Sequence, residues 1–143
     1  MLDELKEKHI PILYNELQNL SDEDNAFFHP HLFDKKTLES LLKDNEKYYI
    51  FYYEGELIGY CFIRTFGKFE IPTLGCIIWG RYREKGYGEI LMKELEEETK
   101  KLGFKSLMLK VYNKNKIGIK LYKKCGFKKI SKEGIRIWMI KHL

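Results

Sequence analysis

Residues 77–89 have the sequence Ile-Ile-Trp-Gly-Arg-Tyr-Arg-Glu-Lys-Gly-Tyr-Gly-Glu. The apolar residues 74–79 predict a buried strand, and residues 89–102 predict an amphipathic helix with apolar side chains at 91, 92, 95 and 102. The first N–H groups of a helix have no intrahelical partner and carry the positive end of its dipole. Because Gly86 and Gly88 lack a Cβ, an anion can approach this backbone closely. The segment therefore predicts a phosphate or pyrophosphate site.

The glycine pattern alone does not identify the ligand. A P-loop requires Gly-Lys-Ser/Thr, but Gly88 is followed by Glu89. A dinucleotide fingerprint requires a third glycine at the position that Leu91 holds. A plain tight turn between a strand and a helix is the alternative interpretation.

Composition favours a soluble globular enzyme or binding module. The chain has 143 residues and a net charge of +5, which predicts one domain over residues 1–143. Its three cysteines indicate free thiols in a reducing cytoplasm, not a disulfide framework or a metal site. We expect a cytoplasmic protein, because no apolar run is long enough for a bilayer and no signal-peptide pattern is present. Lysines within residues 100–132 suit an anionic cofactor, nucleic acid or an ordinary solvated surface.

The first third of the chain predicts helices joined by polar and aromatic segments. Apolar spacing predicts a helix over residues 2–20, which Pro11 starts, kinks or divides. An acidic connection, residues 21–24, and an aromatic loop follow. Within that loop, His29 and His31 either line a pocket or pack beside a proline. Asp34 is typical of an N-cap for a helix over residues 35–43.

The remainder predicts strands alternating with two helices. A hairpin is expected over residues 48–53 and 56–66, followed by a turn at Gly67 and the strand that ends at Trp79. The other predicted elements are a helix over 89–102, a strand over 105–112, a short helix from Asn115 to Gly126, and a hairpin over 127–130 and 135–140. This order predicts a mixed sheet with helices on its faces.

A second motif lies in residues 115–127. Its residues are Asn115, Gly118, Tyr122 and the pair Gly126-Phe127. Together with Arg-x-x-Gly-x-Gly at 83–88, it resembles the GCN5-related N-acetyltransferase (GNAT) family. Members of that family carry Gln/Arg-x-x-Gly-x-Gly/Ala and, one strand later, Asn-x-x-Ala-x-x-x-Tyr followed by Gly-Phe. The resemblance covers residues 48–140.

The resemblance implies an α/β (α+β) fold with a mixed, mostly antiparallel central sheet flanked by helices. In that fold the sheet splays between the strands that end near Ile78 and Tyr112. Gly75 would mark a bulge that helps to separate them. Residues 48–140 would form the cofactor-binding core, and residues 1–45 the helices on the acceptor side, which vary within the family.

The resemblance also implies acetyl-CoA as cofactor, CoA as product and no metal. The pyrophosphate would bind amides and side chains of Arg83, Glu84, Lys85, Gly86, Tyr87 and Gly88. A backbone N–H near Ile77 or Ile78 would bind the thioester carbonyl and stabilise the oxyanion. Asn115 would hold the cofactor arm or the adjacent backbone. Tyr122 would donate a proton to the departing thiolate; its alternative role is a buried helix aromatic.

Amine attack requires a general base, because a lysine-type amine with a pKa of about 10.4 is protonated at neutral pH. Glu70 is the best candidate base, and an ordinary surface carboxylate is its alternative role. His29 and His31 are further candidates, since a histidine with an unperturbed pKa of ~6.5 can accept a proton from the amine near neutral pH. Several family members that acetylate protein N-termini carry Glu at the position of Lys110, and histone-type members carry Glu about where Pro72 stands.

These features predict an acetyl-CoA-dependent N-acetyltransferase that moves an acetyl group to a primary amine of a small molecule, by direct attack in a ternary complex. The alternatives are a CoA-binding regulatory module without catalysis, a protein N-acetyltransferase, and a basic domain associated with RNA or the ribosome. The mixed Glu/Lys pattern and the absence of an RNA-binding motif disfavour nucleic acid. We expect a monomer or homodimer without membrane contact.

Overall fold

The computed structural model describes residues 1–65 and 71–143, which contain seven strands and five α-helices. The strands are β1 (Leu2–Glu4), β2 (Lys47–Tyr53), β3 (Glu56–Arg64), β4 (Thr73–Ile78), β5 (Ser106–Tyr112), β6 (Lys128–Glu133) and β7 (Arg136–His142). The helices are α1 (Ile10–Gln18), α2 (Asp22–Phe27), α3 (Lys35–Leu41), α4 (Tyr87–Lys101) and α5 (Lys116–Lys124). Short 3₁₀ turns occupy Glu7–His9 and Gly80–Tyr82.

All seven strands belong to one sheet in the order β1-β2-β3-β4-β5-β7-β6. Every neighbouring pair is antiparallel except β4 and β5, which are parallel. Helices flank the sheet, since one apolar cluster includes α4 residues and another includes residues of α1 and α3. The predicted mixed, mostly antiparallel sheet is therefore confirmed.

The parallel pair β4 and β5 separates soon after it begins. The two strands pair at Thr73 and Met108, where the Met108 amide donates to the Pro72 carbonyl at 2.9 Å. No later residue pair joins them within the described residues, up to the strand ends at Ile78 and Tyr112. This opening is the splay that the sequence predicted.

Gly75 does not form the bulge that was predicted there. The register between β3 and β4 runs without a shift through the pair Phe62 and Gly75. The Phe62 ring lies over Gly75, so a Cβ at this position would overlap the ring. Glycine is needed for this close approach of a ring to the backbone, and the splay arises on the other edge of β4.

The two faces of β4 and β5 contact different cores because strand side chains alternate in direction. Leu74, Leu109 and Val111 pack with α4 residues such as Leu91 in one cluster. On the opposite face, the second cluster contains residues of β3, β4, α1 and α3. Its members include Tyr60, Phe62, Ile77, Trp79, Leu13, Leu17 and Leu38. A gap between β4 and β5 therefore connects the two faces of the sheet.

The N-terminal segment differs from its prediction in two places. Residues 2–4 form an edge strand on β2, not the start of a helix, and the Leu5 amide continues the pairing by donating to the Tyr48 carbonyl. The predicted acidic connection is helix α2, whose first turn is capped when Ser21 Oγ accepts from the Asp24 amide at 3.1 Å. Helix α3 begins after its predicted cap, Asp34.

Candidate active site

A cavity of about 630 Å³ lies where β4 and β5 separate. Its walls include residues 74–78 of β4 and 109–111 of β5, together with parts of α2, α4 and α5. This split cavity reaches both faces of the sheet. One end meets the starts of α4 and α5, and the other meets α2.

The predicted anion loop forms the first end of the split cavity. Two of its residues have left-handed backbone, Glu84 with φ 62° and Gly86 with φ 84°, and the chain then enters α4 at Tyr87. The N-cap residue of α4 is Gly86, which has no side chain to cap the helix. Glu84, Gly86, Tyr87 and Gly88 line the cavity, whereas Lys85 is exposed outside its lining. The uncapped amides at the start of α4 give this end an anion-binding character.

Arg83 also lines the split cavity, but its side chain is already engaged. Its Nε donates to the Ile78 carbonyl at 3.0 Å, and its Nη1 pairs with Asp24 Oδ1 at 2.6 Å. Asp24 belongs to α2, on the far side of the cavity, and its side chain is only 13% exposed. Arg83 therefore connects the loop, the end of β4 and α2.

The backbone of β4 distinguishes the two residues predicted to bind the thioester carbonyl. The Trp79 amide donates to the Ile58 carbonyl of β3 at 3.0 Å. The backbone N–H and C=O groups of successive strand residues point to opposite sides of the strand. Those of Ile77 therefore also point toward β3, and those of Ile78 point into the opening toward β5. The Arg83 bond to the Ile78 carbonyl agrees with this direction. Ile78 is thus the residue whose N–H lies in the gap.

Asn115 and Gly118 form the start of α5. Asn115 Oδ1 accepts from the Gly118 amide at 3.0 Å and so caps the helix. A Cβ on Gly118 would come within 2.8 Å of Asn115 Nδ2. Glycine at the alanine position of the family motif therefore lets the asparagine side chain lie close against the helix. Both residues line the split cavity.

Tyr122 reaches the split cavity from α5, as the motif predicted. Its hydroxyl lies 3.8 Å from Cys76 Sγ, and either atom can be the donor. Burial raises the pKa of the Tyr122 hydroxyl well above 10.0 and that of the Cys76 thiol to about 11. Both groups are therefore protonated at neutral pH, so the hydroxyl can serve as a hydrogen-bond donor. Cys76 was predicted only to be a free thiol, although its strand position two residues before Ile78 places it on the same face.

The two candidate histidines have different surroundings. His31 Nδ1 donates to the Leu32 carbonyl at 2.7 Å, Nε2 bonds the Tyr60 hydroxyl at 2.9 Å, and the ring lies outside the cavity lining. Burial lowers the pKa of His31 below its usual value. His31 is therefore a packed loop histidine. His29 bonds the hydroxyl of Tyr112, at the end of β5.

Glu70, the predicted general base, lies outside the described residues, as does the predicted turn at Gly67. Among residues 1–65 and 71–143, no group of three or more His, Cys, Asp or Glu side chains has the arrangement of a metal site. Within the same ranges, each helix is too short or too polar to cross a membrane.

The wall of the split cavity opposite the anion loop consists largely of residues from α2, the residue after it and β5: Glu23, Asp24, Phe27, Phe28 and Lys110. The predicted aromatic loop therefore contributes Phe27 and Phe28 to the lining, whereas helix α2 was not predicted. A useful signal was present at residues 21–24, because Ser followed by three acids is typical of a helix N-terminus.

The family model described as "Acetyltransferase (GNAT) family" matches residues 14–127. The chain belongs to this family. Membership identifies the protein as an N-acetyltransferase with acetyl-CoA as acetyl donor, which is the family and activity predicted from the two motifs.

Solved GNAT structures share this fold. The N-acetyltransferase PseH of Campylobacter jejuni, in complex with acetyl coenzyme A, is 18% identical, with 99% of this chain and 97% of that chain covered and a TM-score of 0.75. The spermidine N-acetyltransferase of Vibrio cholerae, in complex with CoA and spermine, is 18% identical, with 99% and 94% covered and a TM-score of 0.81. The ribosomal-protein-alanine N-acetyltransferase of Brucella melitensis is 21% identical, with 100% and 99% covered and a TM-score of 0.77. At these identities, the likeness establishes the fold alone.

Proposed function

We propose that this GNAT protein transfers the acetyl group of acetyl-CoA to a primary amine of a small molecule, by direct attack in a ternary complex. The observation that carries the proposal is the split cavity, which has an amide-rich anion loop at one end and a separate acceptor wall at the other. Donor and acceptor can therefore enter from opposite ends and meet between β4 and β5.

The loop fits the diphosphate of acetyl-CoA. Backbone amides of residues 84–88 would hold its oxygens, because the start of α4 is uncapped and Gly86 leaves open space where a Cβ would stand. Lys85 would add charge from the solvent side. Arg83 supports the site through Asp24 and the Ile78 carbonyl, and its guanidinium would also lie near the phosphates. Asn115, already bound to the Gly118 amide, would contact the cofactor arm.

Two groups would act on the reacting atoms. The thioester supplies an activated acetyl group, and the Ile78 N–H would stabilise negative charge on its carbonyl oxygen, an effect worth about 10²–10³-fold per donor in other enzymes. The Tyr122 hydroxyl would donate a proton to the departing sulfur. The burial that raises the pKa of Cys76 to about 11 would also make a thiolate in the same place more basic, which favours this proton transfer.

We propose Glu70 as the general base. A carboxylate can accept the proton of the amine directly or through one water. His31 is a poor candidate because both of its ring nitrogens are hydrogen-bonded inside the protein. His29 is a poor candidate for the same reason, since its Nδ1 bonds the Asn25 carbonyl and its Nε2 bonds the Tyr112 hydroxyl.

We also propose a cellular compartment and an oligomeric state for the protein. Cys61, Cys76 and Cys125 are free thiols, which agrees with a reducing cytoplasm. We propose a monomer or homodimer that acts on soluble amines.

An amine panel with acetyl-CoA, followed by release of free thiol and by mass spectrometry of the product, tests the proposal. The panel contains polyamines, amino acids, amino sugars and peptides with free N-termini. We expect thiol release with at least one small amine and an N-acetylated product. Tight CoA binding without thiol release would support the non-catalytic alternative, and preference for peptide N-termini would support a protein N-acetyltransferase.

A further inference from the structure

Two cations, Lys110 and Arg136, lie on the neighbouring strands β5 and β7, and Lys110 is the one that belongs to the cavity lining. Lys110 lines the cavity, and Tyr112 follows it on the same face of β5, because Leu109 and Val111 point to the opposite core. Arg136, the first residue of β7, pairs with Tyr112 across the sheet. We define Lys110, Tyr112 and Arg136 as the acceptor rim.

A directed chain of hydrogen bonds holds the guanidinium of Arg136 in place. The Asn25 carbonyl can only accept, so His29 Nδ1 donates to it at 2.9 Å, and a neutral His29 then accepts at Nε2 from the Tyr112 hydroxyl at 2.8 Å. The same hydroxyl oxygen accepts from Arg136 Nη2 at 2.6 Å. The guanidinium carbon also lies 4.5 Å from the centre of the Tyr112 ring.

Carboxylates near the rim are already engaged. Glu133 uses one oxygen for Lys110 at 3.2 Å and the other for the Trp138 indole N–H at 2.9 Å. Asp24, on the facing wall, is paired with Arg83. In the described part of the chain, Arg136 has the Tyr112 hydroxyl and ring as partners and no carboxylate within salt-bridge distance. Glu133 is also the cross-strand partner of Arg136, and the Arg136 charge contributes to lowering the pKa of Glu133. One carboxylate therefore faces two cations, and the rim keeps a net positive charge.

We propose that the acceptor amine carries an anionic group, a carboxylate or a phosphate, which Arg136 binds at the acceptor rim while the amine reaches the gap between β4 and β5. A guanidinium presents five N–H donors in a planar fork that matches either anion. Phe27, which lines the cavity and contacts the Tyr112 ring at 6.1 Å between centroids, would cover the apolar part of the acceptor. This inference rests on the proposed N-acetyltransferase function.

Pairs of amines that differ only in an anionic group test this inference separately from the proposed function. The pairs are glycine with glycinamide and phosphoethanolamine with ethanolamine, and spermidine serves as a cationic acceptor. We expect the anionic member of one pair to have about a tenfold higher kcat/KM, which corresponds to ~1.4 kcal/mol, because a charge-assisted hydrogen bond is stronger than a neutral one. The preferred pair distinguishes carboxylate from phosphate. Equal or better turnover of the neutral members or of spermidine would overturn the inference while leaving the proposed function intact; no thiol release from any amine would overturn both.

Variants test the role of Arg136 itself. Arg136→Gln is expected to raise KM for the anionic amine about tenfold, without changing kcat/KM for its neutral analogue or the Kd of acetyl-CoA. Lys93→Gln, which removes one positive charge from an exposed position on α4, is the matched control and should leave both amines unchanged. Tyr112→Phe keeps the charge but removes the hydroxyl that orients it, so a smaller rise in KM is expected. Equal losses for both amines in Arg136→Gln would contradict the inference.

Discussion

The two ends of the split cavity are built in different ways. The proposed cofactor end uses two short continuous segments, residues 83–88 and 115–122, and backbone amides would supply much of its chemistry. The proposed acceptor end combines side chains from α2 and β5 with Arg136 of β7 beside them, and these are distant in sequence. A site made of backbone leaves a recognisable glycine and cap pattern in the sequence. A site made of side chains that are distant in sequence has no fixed spacing between its residues. Those residues can therefore differ between proteins that act on different substrates.

The Arg83 side chain connects the two ends of the split cavity. It lies in the cofactor loop, yet its guanidinium binds Asp24 of α2. We therefore expect substitutions in residues 83–88 and 115–122 to change kcat or the Kd of acetyl-CoA strongly, and substitutions in α2 to change them weakly. The following four predictions test that difference, from the largest expected effect to the smallest.

Tyr122→Phe is expected to reduce kcat by roughly 10²–10⁴-fold, the range for a lost general acid, while the Kd of acetyl-CoA stays the same. Steady-state kinetics and calorimetry measure the two quantities. Because burial holds the pKa of this hydroxyl well above 10.0, the wild-type enzyme should show no alkaline loss of kcat from Tyr122 below that pH. Tyr87→Phe makes the same chemical change on another cavity tyrosine and should have little effect. A Tyr122→Phe enzyme with normal turnover would remove the proposed proton donor.

Gly75→Ala tests the sheet beside the opening. The new Cβ would overlap the Phe62 ring, so the ring or the strand must shift. Overpacking of this kind costs about 1–3 kcal/mol, and the urea midpoint should fall accordingly. Gly80→Ala adds the same methyl group where no atom lies within 4 Å and serves as control. Unchanged stability in Gly75→Ala would mean that the ring does not lie over β4.

Gly86→Val tests the backbone of the anion loop. Its φ of 84° is unfavourable for a branched side chain, so the loop should relax and acetyl-CoA should bind about 5–30-fold more weakly, which corresponds to ~1–2 kcal/mol. Gly55→Val imposes similar strain at φ 81° in the turn between β2 and β3. That control should lose stability but keep its affinity for acetyl-CoA. Equal affinity in Gly86→Val and the wild type would argue against amide binding of the diphosphate.

Asp24→Asn tests the link between the two ends. Removing the carboxylate releases the Arg83 guanidinium for the phosphates, so calorimetry should find acetyl-CoA binding unchanged or a few-fold tighter, since pairs that are partly exposed contribute about 0.2–1 kcal/mol. Glu16→Gln breaks the neighbouring pair with Arg81 and is the control. Much weaker binding in Asp24→Asn alone would show that α2 must hold Arg83 for the cofactor to bind.

Apolar periodicity and turn residues predicted most of the strands and helices because they act locally, and the family resemblance implied the mostly antiparallel sheet and its splay. These patterns missed β1, since three residues of an edge strand are held by backbone pairing with β2 and carry too little side-chain periodicity to be recognised. They also missed α2, whose cap and acidic first turn resemble a polar connection. Gly75 was assigned to a bulge, although its role is to admit a ring from β3.

Partners that depend on long-range contacts could not be predicted. The Arg83–Asp24 pair joins residues 59 positions apart, and the Cys76–Tyr122 contact joins residues 46 positions apart. Arg136 was not a candidate site residue because a single arginine at the start of a strand has no distinguishing pattern. The strand order, which places β7 beside β5, brings it next to Tyr112.

A crystal structure of the protein with CoA would test the placement of the cofactor on which these proposals depend. We expect the diphosphate on the amides of residues 84–88, the pantetheine arm along the open edge of β4, and the sulfur within hydrogen-bonding distance of the Tyr122 hydroxyl. A diphosphate bound away from this loop, or a sulfur remote from Tyr122, would contradict the proposed site.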